Sequence, residues 1–214
     1  MRTFLVLLMA VCLAAPALAI LPSPYIGANL QVNSPTGKFS QTDVADKEGG
    51  AKTGTGGELD LGISASAGEL YAGYRFGKLN VKASYDLPGQ TSVGYEGEWK
   101  LNRFVIGARA HLFGSLPLSP TIGGGITLGK TELNIDAAAA DTTAQDVAQT
   151  SSNKMGWFVE AGAVLQIPGV PLSVVGDVQF HQFDAEFDTP VYDGNVKISF
   201  FTFQAGLRFH FIGG

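Results

Sequence analysis

Residues 124–131 read GGITLGKT and place Gly124, Gly129, Lys130 and Thr131 in G-x-x-x-x-G-K-[ST], the loop that cradles nucleotide phosphates. That chemistry needs the glycine turn to lead from a strand into a helix whose N-terminus faces the phosphates. Here Ile122, Ile126 and Leu128 alternate with Gly123, Gly125, Thr127 and Gly129. Leu133 and Ile135 then run on in the other phase, with no helical pattern. Asp177 in the stretch VVGD could partner such a loop through Mg²⁺, but it too sits in an alternating run. The pattern predicts no nucleotide, and the glycines are read as space for bulky neighbours.

Other residues could do chemistry. Arg75, Lys82, Asp86, Arg109, Glu160, Asp177 and Arg208 all fall on the polar phase of alternating runs. Enclosed together they would have to pair, because an unpaired buried charge is costly. Nucleophilic catalysis would need a serine, a histidine and an acid within reach of each other. Of the three histidines, His111 and His210 lie near strand ends. His181 is four residues from Asp177, roughly 13 Å along a strand, too far to bond. Asp184, Glu186 and Asp188 line one face and offer oxygen ligands suited to Ca²⁺ or Mg²⁺. They are read as a solvated strand end. No catalytic residue, cofactor or metal site is expected.

The elements that must carry these groups alternate with period two. Phe104, Ile106, Ala108, Ala110 and Leu112 oppose Arg103, Gly107, Arg109 and His111. Phe201, Phe203, Ala205, Leu207, Phe209 and Phe211 oppose Thr202, Gln204, Gly206, Arg208 and His210. Leu79, Val81, Ala83 and Tyr85 are read as an apolar face opposite Lys82. About eight such strands are predicted, roughly 24–33, 58–76, 78–87, 102–113, 120–135, 155–167, 171–187 and 195–211. The second changes phase near Gly68. A bulge is the reading adopted, with a separate strand over 58–67 left open. Short links (Gly77-Lys78, GSLPLS, PGVP) alternate with mostly longer polar ones, as in an antiparallel up-and-down meander.

Alternation does not say which face meets water. The chain has 28 glycines and only 15% charged residues, against about 25% charged in soluble domains. A watery exterior of this size would need more charge, so the apolar face is assigned to lipid. Aromatic residues near strand ends (Tyr25, Tyr74, Phe76, Tyr85, Trp157, Phe209, Phe211) suit interfacial girdles. Lys130 and Lys197 fall on the apolar phase near the long loops, where a lysine can snorkel to water. In hydrocarbon a sheet must close on itself, and eight strands is a small closure that side chains can fill. The expected fold is therefore all-β, a closed antiparallel up-and-down transmembrane barrel.

The opening MRTFLVLLMAVCLAAPALAI reads as a cleavable export signal: Arg2, an apolar run, and Ala17-Leu18-Ala19 before the cut. The domains are thus a signal peptide at 1–19 and a barrel at 20–214. Cys12, the only cysteine, lies in the signal, so no disulfide or thiol chemistry is expected of the mature chain. The formal charge of −5 argues against a nucleic-acid partner.

The stretches YIGANLQV, LYAGYRFGKLNVKASYDL and the terminal QAGLRFHF resemble the small OmpA/OmpX-like family of bacterial outer-membrane barrels. Gln204, Gly206, Phe209 and Phe211 look like the family's C-terminal assembly signal. The resemblance implies insertion by the outer-membrane assembly machinery, periplasmic termini and extracellular long loops. Lipid and lipopolysaccharide are the expected surroundings, and a monomer is the expected state. The preferred function is a non-enzymatic, structural or surface-interaction barrel with a lumen plugged by polar and charged side chains. The competing reading is a narrow channel for ions or small apolar molecules, as in OmpW-like proteins. A lipid-modifying enzyme ranks third.

Overall fold

A computed structural model describes residues 22–40, 47–85, 93–113, 116–137, 147–152, 154–188 and 193–211. The expected signal peptide and Asp86 lie outside the described residues. The strands are β1 (Ser23–Pro35), β2 (Lys47–Lys52), β3 (Gly54–Ala65), β4 (Gly68–Tyr85), β5 (Val93–His111), β6 (Leu118–Ala137), β7 (Val147–Thr150), β8 (Lys154–Gln166), β9 (Leu172–Asp188) and β10 (Asp193–His210).

All pairings are antiparallel and the ring closes, β1 against β10 and β4 against β5. β2 and β3 pair with successive parts of β4, and β7 and β8 with successive parts of β6, so each couple forms one interrupted stave. The result is a closed eight-staved barrel. At the second interruption Ser151 keeps the ladder satisfied: its Oγ accepts from Thr131 N at 3.0 Å, and its N–H donates to Thr131 O at 2.8 Å. A missed bond there would leave buried backbone groups unpaired.

One boundary differs from the sequence reading. The phase change near Gly68 is a reversal of the chain at Ser66-Ala67, since Ala65 pairs with Gly68 and Gly56 with Gly77. Gly77-Lys78, read as a turn, lies inside β4 with Leu101 and Lys100 opposite. Residues 58–65 thus belong to a separate strand, β3, and β4 runs without the expected break from Gly68 to Tyr85. The number of staves is still eight because one split replaces another. The short turn at PGVP is as expected, and Gly169 in it takes a positive φ of 75°.

The wall has two storeys. In the lower one the outward residues are apolar and the inward ones mostly polar, although Val105, Phe158, Val164 and Val175 are among them. The outward runs Phe104–Leu112, Leu118–Leu128 and Met155–Leu165 match the ~9–11 residues that a tilted strand needs to cross a membrane. Together with Leu59, Leu61, Leu70, Val178 and Leu207 they form an apolar band around the barrel. Soluble monomers rarely expose a continuous apolar surface of this kind. Trp157, Phe180 and Phe201 pack as a row of tilted rings along its upper part, at ring separations of 5.7 and 5.2 Å. Phe209 and Phe211 meet at its lower edge. Tyr25, expected in such a girdle, is instead buried in the lumen, because its neighbour Ile26 takes the outward position.

Above the band the two faces exchange chemistry. Lys52, Lys78, Lys100, Lys130, Asp184, Glu186 and Lys197 point outward, while Leu79, Trp99, Leu101, Phe183, Ala185, Ile198 and Phe200 point inward as an apolar core. The expected inward polar face of 78–87 is therefore reversed at Leu79, which is fully buried. Lys130 and Lys197 need no snorkelling: they stand on a wall that has already left the apolar band. Lys100 and Lys78 donate to Glu98 at 3.1 and 3.5 Å, and the Lys100 hydrogen bond holds that carboxyl below the usual range.

A 3₁₀ turn at Gly37–Ser40 caps this core. Thr36 N–H donates to Ser199 O at 2.9 Å, and Gly37 takes φ 60°. Phe39 then reaches inward to meet Trp99 edge-on at 5.7 Å. Phe39→Ala is expected to cost about 3 kcal/mol, as for a buried aromatic truncation. In a Trp157→Phe background, Trp99 emission should move to the red and become quenchable. An unchanged spectrum would mean that Phe39 does not seal the core.

Candidate functional site

The lower storey encloses the chemistry. In an eight-stave barrel inward side chains meet across the lumen, and glycines opposite the largest ones give them room. A Cβ at Gly107 would lie 2.6 Å from the Tyr71 ring, and one at Gly125 would lie 2.8 Å from Phe158. Among the described residues Glu58, Asp60, Glu69, Glu160, Asp177, Arg75, Arg103, Arg109 and Arg208 are buried here.

Two carboxylates organise the network. Glu160 on β8 accepts Arg109 Nε at 2.8 Å and Nη2 at 3.0 Å as a fork, Tyr71 OH at 3.0 Å and Gln179 Nε2 at 2.9 Å. Glu69 on β4 accepts Arg208 Nη1 at 2.6 Å and Arg109 Nη1 at 3.1 Å, with His111 Nε2 at 3.1 Å. Forked, charge-assisted bonds of this kind are among the strongest available. Arg109 Nη2 also lies 3.6 Å from Asp177, which accepts Gln204 Nε2 at 2.8 Å.

Arg75 donates Nε to Glu58 at 2.6 Å, and its Nη1 lies 3.3 Å from His181 Nε2 on β9, the stave diametrically opposite β4. The His181 ring is stacked between Phe158 and Phe200 at 5.5 and 4.9 Å. Each arginine also rests on an aromatic face: Arg75 on Phe158, Arg103 on Phe183, Arg109 on Tyr71 and Arg208 on Tyr25. Such cation–π contacts add about 2 kcal/mol or more when desolvated.

Of the charges read from the sequence, Arg75, Arg109, Glu160, Asp177 and Arg208 are brought together in this lumen. Lys82 stands opposite Glu96 in the β4–β5 register, with its side chain outside the described residues. Glu58, Asp60 and Glu69 were missed because the reversal at Ser66-Ala67 was read as a bulge. The phase of Leu59 and Leu61 already carried the signal. Arg103, on the polar phase of its run, was also passed over.

The phosphate-loop pattern lies wholly within β6, between β5 and β8, and the strand runs on past it to Ala137. Glu186 is paired with Lys154, and Asp184 stands opposite Lys197. The side chain of Asp188 lies outside the described residues. No group of three or more metal-ligating side chains occurs among the described residues.

The structure also holds a serine–histidine pair that no sequence pattern pointed to. Ser173 and His210, on neighbouring staves, approach to 3.0 Å between Oγ and Nε2. Sequence separation hid it, because the register of β9 on β10 alone brings them together. Ser173 is fully buried and faces the lumen, whereas acyl chains could reach only the outer wall. The pair therefore presents no nucleophile to lipid.

Comparison with known proteins gives a consistent result. The family model described as "Outer membrane protein beta-barrel domain" matches residues 3–211. No curated protein matches the sequence. Among solved structures, the barrel is similar to the outer membrane protein OprG from Pseudomonas aeruginosa (TM-score 0.59, 12% identity, covering 89% of this chain and 96% of that one). It is also similar to Neisserial surface protein A (0.53, 13%, 88% and 97%) and to a major outer membrane protein from Thermus thermophilus (0.52, 13%, 90% and 100%). At these identities the likeness is one of fold.

Proposed function

This chain belongs to the outer membrane protein beta-barrel domain family, and from that premise we propose a non-enzymatic barrel with a plugged lumen and a structural or surface-interaction role. Its place is the bacterial outer membrane. The observation that carries the reading is the clamp of Arg109 and Arg208 on Glu69 and Glu160, which ties β4, β5, β8 and β10 together across the interior. A conducting path would have to break those bonds, each between side chains at most 1% exposed.

The ends of the barrel divide the remaining roles. The termini and short turns share the periplasmic end, and the longer connections face outward from the cell. There they would supply the interaction surface. The lysines above the apolar band suit the phosphates of lipopolysaccharide, and Gln204, Gly206, Phe209 and Phe211 on β10 serve recognition by the assembly machinery. The barrel acts as a monomer without a cofactor.

Planar-bilayer recording tests the plug. The wild-type protein should show no steady single-channel steps, and the charge-balanced double variant Arg109→Ala/Glu160→Ala should show discrete ones. Reproducible wild-type openings that change when Arg109 is neutralised would overturn the reading. A second reading, a path for small apolar molecules, is favoured by the apolar lining around Leu79, Leu101 and Ile198. Wild-type barrels in liposomes that speed entry of an apolar dye would select it.

A further inference from the structure

At the junction of the polar plug and the apolar core, the cations outnumber their partners. Arg103, 3% exposed, donates Nη1 to Thr127 Oγ1 at 2.9 Å and lies on the Phe183 ring. Among the described residues no carboxylate pairs with it, and its Nε has no hydrogen-bond partner. Arg75 commits Nε to Glu58, its Nη1 lies beside His181, and its Nη2 has no partner. His181 Nδ1 is the third orphan.

These three side chains line one void of about 20 Å³, together with Gln31, Asn33 and Thr202. The space holds a single water-sized particle, for which about 10–15 Å³ suffices. A water there could accept from the orphan donors but would leave the guanidinium of Arg103 uncompensated, and a buried charge without a counter-ion is strongly disfavoured. His181 Nε2 also lies 3.0 Å from Gln179 Oε1, an oxygen that can only accept and whose amide is fixed by the bond from Gln179 Nε2 to Glu160. The imidazole proton therefore sits on Nε2, and the orphan donors are the two arginine nitrogens.

We propose that this void is a binding site for one small monovalent anion of chloride size, held by the orphan donors Arg103 Nε and Arg75 Nη2. The ion supplies the charge that no carboxylate gives Arg103, and the void excludes larger anions. The site stands whether or not the lumen conducts.

The test uses the full barrel, refolded in detergent, at constant ionic strength. Chloride or bromide should raise the unfolding midpoint saturably, by about 5 °C over gluconate, which has equal charge but far greater bulk. Arg103→Met should abolish the difference between the salts. Crystals of the wild-type protein grown in sodium bromide should give an anomalous peak between Arg75, Arg103 and His181, a readout that does not depend on the variant folding. A water in place of that peak, with equal midpoints in chloride and gluconate, would overturn the proposal. So would a chloride effect that persists undiminished in Arg103→Met.

Discussion

Arg109→Met should lower the stability of the refolded barrel by about 3–5 kcal/mol, the cost of stripping a buried ion pair of one partner. Arg109 spreads Nε, Nη1 and Nη2 over Glu160 and Glu69. Without it Glu160 keeps only Tyr71 and Gln179, and Glu69 keeps Arg208 and His111. Methionine fills much of the arginine's volume, so the loss is chiefly electrostatic. Glu160→Gln in the same chain should recover part of it, because removing both charges of a pair costs less than orphaning one. Urea unfolding in lipid vesicles, read as a double-mutant cycle, checks both values. A loss below about 1 kcal/mol for Arg109→Met would mean that the clamp contributes little to holding the lumen shut.

The second large effect concerns the outer wall. Ile106 is 62% exposed and stands between Ala72 and Ile126 in the middle of the apolar band. Ile106→Arg there should cost about 2–4 kcal/mol, while Asn102→Arg, level with Lys130 at the upper edge, should cost only about 0–1. The comparison isolates depth, since the introduced charge is the same and both sites face outward on β5. Unfolding free energies measured in vesicles decide it. Equal costs at the two positions would show that the band around Ile106 is not immersed in hydrocarbon.

Both expectations rest on a fold that local pattern announces only in part. Alternation on β5 and β10 was readable because side chains on a strand point to opposite faces at every step. The few charges and many glycines then indicated which face met lipid. The reversal at Ser66-Ala67 was not readable, because a bulge and a two-residue turn produce the same phase change. Only the pairing of Ala65 with Gly68 distinguishes them. The exchange of faces above the lysines escaped for a similar reason. Leu79 and Leu70 look alike in sequence, yet one is buried in the lumen and the other is 60% exposed.

What the sequence determined by itself was therefore the architecture: antiparallel β-staves, apolar outside, with charges such as Arg75, Arg109, Glu160, Asp177 and Arg208 turned inward. Which charge meets which was decided by tertiary structure alone. Arg208 finds Glu69 across 139 residues, and Ser173 finds His210 through the register of two neighbouring staves. Closure of the ring sets those distances, and no local pattern encodes how opposite walls of a barrel face each other.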